Sequence, residues 1–369
     1  MGNEGQGQGR GRGAERPTEI PRRGWLDIGW RTIKEVSDDR VLLVAAGVTF
    51  YLLLALAPTL AAFVSVYGLF FDPATIQEHV EVLSGIVPGG AMDILRSQLE
   101  TVSAADQGAL GFAFALSLGL ALWSANAGMK SLFEAMNVAY DETEKRSFLK
   151  LTAVTMTMTV LTLAALIGLI AANLVFGTFA TALGLDALPE WVLTTITGVV
   201  GLAALIAFMA VLYRYGPSRE APRMAWITPG AVVAGIGAVV VSVAFSFYVA
   251  NFGTYNETYG SLGAVVGFLT WLWLTMTVLI LGGEINAEME HQTARDTTTG
   301  PVQPIGSRGA RMADHVGAAY GEGDPHAADG TRRPDEPRHR GARPGLGGRI
   351  ALLLGAVGLK ALMDRDRRR

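Results

Sequence analysis

The chain contains no cysteine, which excludes disulfides, thiolate metal sites and a cysteine nucleophile. Histidine is scarce too. His79, His291, His315, His326 and His339 all lie outside the long apolar runs, so no histidine proton relay within a membrane is expected. Charge is the third scarcity: Asp, Glu, Lys and Arg make up 17% of the residues, against 50% hydrophobic ones. The charges crowd into residues 1–40 and 291–369. A cleavable leader is not expected, because the first apolar run begins at Val41 behind a long Gly/Arg-rich stretch and is too long for a leader's core.

What is present between the charged ends is a string of apolar segments. A helix of about 20 residues, rising 1.5 Å per residue, crosses the roughly 30 Å hydrocarbon core of a bilayer. Six segments qualify: Val41–Phe71, Gly108–Met129, Phe148–Phe179, Trp191–Tyr215, Trp226–Ala250 and Tyr259–Glu290. The sequence therefore reads as an all-α integral membrane protein with a transmembrane domain over 41–290. Pro58 falls in the middle of the first span and is expected to break it, freeing a backbone carbonyl, or to kink it. Pro229 falls in the first turn of the fifth span, where a missing N–H does no harm. Residues 72–107 read as two short surface helices around Pro88-Gly89-Gly90.

The distribution of lysine and arginine sets the orientation. The connections after spans one, three and five hold one basic residue together, Arg96. The N-terminal segment holds eight, the 130–150 connection four, the 214–223 connection three and the C-terminal segment fourteen. By the positive-inside rule both termini are cytoplasmic. Residues 1–24 and 291–348 have too few large apolar residues to fold and are expected to be disordered. Residues 25–40, with Trp25, Ile28, Trp30 and Ile33 among charged neighbours, suggest an interfacial helix. At the far end, residues 349–369 combine a short apolar run with Arg365, Arg367, Arg368 and Arg369. That pattern suits an anchor on anionic lipid, or a helix that binds a protein partner.

One segment departs from ordinary membrane composition. Asn126, Lys130, Glu134 and Asn137 follow at helical spacings, so they share one face that starts inside the second span and runs out of it. Arg214, at the end of span four, and Glu284 and Asn286, near the end of span six, lie on the same side of the membrane by topology. Ionisable groups within a membrane are functional candidates by default, and these seven are the expected lining of a cytoplasm-facing polar cavity. Interfacial anchoring and structural ion pairs are the plainer alternative.

Several stretches together carry a resemblance. They are the span containing Pro58, the segment WSANAGMKSLFEAMNVAYDETEKR from Trp123, and the Tyr213-Arg214-Tyr215-Gly216-Pro217 exit of span four. With them go the Thr228-Pro229-Gly230-Ala231 opening of span five, YGSLGAVVGFLTWLWL at 259–274 and GGEINAEME at 282–290. In this order, over residues 25–291, the chain resembles the YihY/virulence factor BrkB family. The resemblance implies a six-span bacterial inner-membrane protein, once labelled ribonuclease BN, with no agreed activity and no catalytic residues to carry over.

Three functions compete. A transporter or flippase would use the polar groups named above. A non-transporting membrane scaffold would recruit lipid or protein through its tails. A nuclease would need clustered metal ligands in a soluble domain, and connections of about 10 to 20 residues are too short to fold one. An enzyme is not expected, nor a cofactor, a metal or a specific nucleic acid. The expected partners are membrane lipids, and a homo-oligomer is left open.

Overall fold

The structure is a computed structural model, and it describes residues 9–67, 92, 96, 112–182, 189–252 and 262–321. Its helices are α1 (Arg22–Asp38), α2 (Val41–Tyr67), α3 (Phe112–Ala139), α4 (Phe148–Ala182), α5 (Glu190–Tyr215), α6 (Met224–Phe252), α7 (Leu262–Glu290) and the single turn α8 (Arg311–Asp314). A short 3-10 turn, Pro17–Glu19, precedes α1. No strand occurs among the described residues. Five helices contain stretches long and apolar enough to cross a membrane: Val41–Phe63, Phe148–Ala172, Trp191–Tyr215, Met224–Ala250 and Gly263–Glu290. At most 28% of each such stretch is buried within the protein, so their apolar sides face outward, as lipid contact requires. α3 packs among them, chiefly against α2 and α4.

α7 is the hub. It packs on α1, α2, α3, α6 and α8, and the most extensive pairings are α6 with α7 and α2 with α3. The main core is built from Val41, Ala45 and Val48 of α2, Phe133 and Met136 of α3, Leu212 of α5, Ile227 of α6 and Ile280 of α7. α2 and α3 meet closely at Gly128, where an added Cβ would lie 3.0 Å from Leu52 and 3.2 Å from Ala55. α6 and α7 approach more closely still, for reasons given below.

At Pro58 the break does not occur, and one further local expectation changes. α2 continues as helix through Pro58; the ring removes one hydrogen bond of a long helix, which neighbouring turns tolerate. α6 begins at Met224, two residues earlier than its hydropathy suggests, so Pro229 sits beyond the first turn. The extra turn is held by neighbouring backbone. Arg223 donates its N–H to Thr297 O at 2.9 Å, and Trp226 donates to Arg223 O at 3.0 Å.

The larger correction concerns the stretches expected to be disordered, 1–24 and 291–348. Where described, at 9–24 and 291–321, they are ordered and close one end of the bundle. Ala294 N donates to Arg12 O, Thr299 N to Ala221 O, and Glu220 N to Gly309 O. Arg308, almost fully buried, donates to the carbonyls of Ala313, Arg295, Ala294 and Gln303. This layer is held by many arginine and threonine hydrogen bonds to backbone, with only a few large apolar side chains such as Ile20 and Met312 buried beneath it, and a count of apolar residues does not detect it. Residues 68–91, 93–95, 97–111 and 322–369 lie outside the described set. The surface helices expected within 72–107 and the basic segment 349–369 with Arg365, Arg367, Arg368 and Arg369 therefore lie outside it too.

Candidate functional site

The seven polar residues singled out from sequence do not form one lining. Asn126 is buried between α3 and α4, where Thr159 Oγ1 donates to its Oδ1 at 3.4 Å. Lys130 is half-buried, donates to Thr152 Oγ1 at 3.1 Å, and lies over the rings of Trp123 and Phe148 at 5.4 and 5.0 Å. Glu134 is exposed. Asn137 is buried, accepting from Ser218 N at 2.7 Å and donating to Glu144 Oε2 at 3.1 Å. Arg214 donates to Pro222 O at 2.8 Å. A surface cleft of about 490 Å³ opens beside the 141–145 loop and residues 306–315, and none of the seven lines it.

Asn137 and Glu144 belong to a lock on the loop after α3. Arg146 pairs with Glu144 at 2.7 Å and donates to the carbonyls of Tyr215 and Gly216. Partial burial pushes the Glu144 carboxyl up, but the hydrogen bonds from Arg146 and Asn137 outweigh it and hold the pKa at about 2. A carboxyl depressed in the folded state contributes stability above its free value of 4.5 and loses it as the pH falls toward about 2. Protection of the amides at residues 140–147, relative to the intrinsic exchange rate at each pH, is therefore expected to fall across that window in the wild type. In Glu144→Gln that protection should already be low at neutral pH and should not change further below it.

Asn286 and Glu284, both fully buried on α7, take different roles. Asn286 clasps α6: Gly230 N donates to its Oδ1 at 2.8 Å, and its Nδ2 donates to Ile227 O at 3.0 Å. The clasp requires glycines. A Cβ on Gly230 would lie 2.1 Å from Gly282 O, and one on Gly282 would lie 2.4 Å from Tyr213 Oη. That hydroxyl donates to Leu279 O at 2.6 Å.

Glu284 belongs to a second arrangement that sequence reading missed. Asp27, Arg31, Glu35 and Asp39 follow every fourth residue along and just past α1, and Glu284, Glu288 and Gln292 do the same along and just past α7. The two stripes meet in antiparallel order. Gln292 Nε2 donates to Asp27 Oδ2 at 3.2 Å. Arg31, with no exposed side-chain surface, pairs with Glu288 and donates to Gln292 Oε1 at 2.8 Å. It also reaches Glu288 O and Ala318 O. Further along, Glu284 on α7 and Glu35 on α1 are both buried. Asp27 is completed by Arg10 at 2.6 Å and by Tyr320 N at 2.9 Å. The spacing of four in both segments was the available signal. Nothing in the sequence says that the stripes face each other.

α1 is thereby inverted relative to an ordinary surface helix. Its buried residues include Asp27, Arg31, Thr32 and Glu35, while Trp25, Leu26 and Ile33 are exposed. Beside it, Arg219 and Glu290 form another fully buried pair, at 2.6 and 2.8 Å to the two carboxylate oxygens. Thr297 donates to Glu290 at 2.7 Å, and the Arg219 guanidinium stacks over Tyr140 at 4.7 Å.

Comparison with known proteins agrees with this architecture. The family model described as "Virulence factor BrkB" matches residues 32–305, which takes in every membrane-spanning helix and the ordered tail as far as residue 305. The chain belongs to the BrkB family. It is 34% identical over 256 residues to a ribonuclease-like protein, YfkH, of Bacillus subtilis (strain 168), covering 66% of this chain and 88% of that one. It is 28% identical over 279 residues to UPF0761 membrane protein Nmul_A0452 of Nitrosospira multiformis, covering 70% of this chain and 59% of that one. A third relative, UPF0761 membrane protein NMB0524 of Neisseria meningitidis serogroup B, is 28% identical over 269 residues, covering 69% and 61%. The chain thus spans about six-tenths of the length of these UPF0761 relatives. No solved structure matches. With its apolar helices, the family makes this a multi-pass bacterial membrane protein.

Proposed function

We propose that this BrkB-family protein is an inner-membrane transporter or flippase with six spans, α3 being the sixth, and with both termini in the cytoplasm. The observation that carries the reading is Glu284. Its carboxyl is fully buried in a membrane-spanning helix, and among the described residues no hydrogen-bond donor reaches either oxygen. An ionisable group in such a place is costly to keep and is retained where it serves a pathway. The buried Asn126–Thr159 contact between α3 and α4 supplies a polar station further along the bundle. The layer made by 9–21, the two basic loops and 291–321 then acts as the cytoplasmic closure. α1 rests Trp25, Leu26 and Ile33 on the inner leaflet, and the basic segment 349–369 docks on anionic lipid. No nuclease role is included: the ribonuclease label belongs to one relative's name, and no metal-holding group of acids and histidines occurs among the described residues.

The lack of cysteine allows a test that needs no substrate. Cysteine placed at exposed Ser307 should react with an impermeant thiol reagent only from the cytoplasmic side. Cysteine at buried Asn126 should react slowly from both sides, because a transporter opens to each in turn. Labelling of residue 307 in intact cells would overturn the orientation, and a residue 126 silent from both sides would overturn transport. A non-transporting scaffold is the second reading, favoured by the dense bonding of the closing layer.

A further inference from the structure

We infer that the outward face of α3 binds the headgroup of an amine-bearing phospholipid, with the lipid phosphate on Lys130 and its primary ammonium on Glu134. The inference rests on α3 being a membrane span, as proposed above, and not on transport. Leu116, Leu120, Trp123, Ala127, Lys130 and Glu134 follow at spacings of four, three, four, three and four, so they form one stripe along α3. Lys130 is half-buried and the other five are exposed. The stripe changes character in the order of a bilayer's layers: leucine for the hydrocarbon, tryptophan for the interface, a cation at the phosphates and an acid beyond them.

At the cation, two helices build the surface. The Lys130 ammonium lies 5.4 Å from the centre of the Trp123 ring and 5.0 Å from that of Phe148, the first residue of α4. Both aromatic residues are more than half exposed. Thr152 takes one of the ammonium's three donors. Lys130 and Glu134 stand four residues apart, a spacing at which side chains can meet, yet among the described residues neither forms an ion pair with the other or with a third group. Two opposite charges left open about 6 Å apart along a helix axis suit a ligand that carries the complementary pair. A phosphate and an ammonium joined through two carbons are such a pair. In a membrane the phosphate lies nearer the hydrocarbon, as Lys130 does on this stripe. A headgroup with a phosphate alone would set like charge against Glu134, and a quaternary amine has no N–H to donate to the carboxylate. The acyl chains then run back along Trp123, Leu120 and Leu116.

The test is quenching of Trp123 fluorescence in the full-length protein, held in phosphatidylcholine nanodiscs doped with acyl-brominated phosphatidylethanolamine, phosphatidylglycerol or phosphatidylcholine. The Trp123 signal is the difference from Trp123→Phe, which keeps an aromatic ring beside Lys130. Brominated phosphatidylcholine sets the baseline of unselective contact. Phosphatidylethanolamine should quench at a mole fraction about two- to five-fold lower than either other lipid, the factor carried by one exposed ion pair. Glu134→Gln, a change at an exposed residue, should erase that preference, and so should Lys130→Gln. Equal quenching by the three lipids in the wild type overturns the site. A preference for phosphatidylglycerol, or one for phosphatidylethanolamine that survives Glu134→Gln, overturns the pairing of an amine with Glu134. No quenching by any of them shows that the stripe does not face lipid, and removes the sixth span together with the site. The expected preference with residue 126 silent to thiol reagent keeps the lipid site and removes transport.

Discussion

Replacing Arg31 with alanine is expected to destabilise the protein by about 3–5 kcal/mol, the cost of leaving one member of a buried ion pair alone. Arg31 and Glu288 have no exposed side-chain surface. The guanidinium also holds Gln292 Oε1 and the carbonyls of Glu288 and Ala318, so its loss strands several acceptors at once. Most of the effect should come from the stranded Glu288 carboxylate. The double substitution Arg31→Met, Glu288→Met should therefore recover much of what either single change loses, since apolar replacements of buried pairs are often close to neutral. Unfolding in detergent, followed by tryptophan fluorescence for both singles and the double, measures the coupling. Additive losses would mean that the pair is not the connection between α1 and α7.

The second large effect is expected at Gly230. Gly230→Ala puts a methyl group 2.1 Å from Gly282 O and 2.4 Å from Asn286 Oδ1, so α6 and α7 must separate and the asparagine clasp must open. Overpacking costs roughly 1–3 kcal/mol, and the clasp's two hydrogen bonds add about 1 kcal/mol each. The total is about 3–5 kcal/mol. Gly47→Ala is the control. Nothing lies within 4 Å of the added Cβ there, and alanine in a helix gains about 0.5–1 kcal/mol over glycine. The same substitution should thus change sign between two helices of one protein. A tolerated Gly230→Ala would show that α6 and α7 are not held this closely.

Span positions were legible in the sequence because crossing a bilayer leaves a local mark: long apolar runs ended by Gly, Pro and aromatic residues. The start of α4 and the end of α5 were read to the residue. The ordered layer was not legible. Arg308 and Thr297 look like tail composition until they are seen bonded to Gln303, Ala313 and Glu290.

By itself, the sequence determined membrane residence, the apolar helices and the family resemblance, all properties of contiguous residues set by transfer from water to lipid. Only the tertiary structure decided what the polar residues do. Asn137 was placed on a loop lock, Glu134 on the exposed surface, Asn286 on the backbone of α6, and Glu284 in the buried interior. Helical spacing fixes which residues share a face. Which face meets which is set by close packing between segments far apart in the chain: here a glycine contact between α6 and α7, and an arginine carried 257 residues in sequence to Glu288.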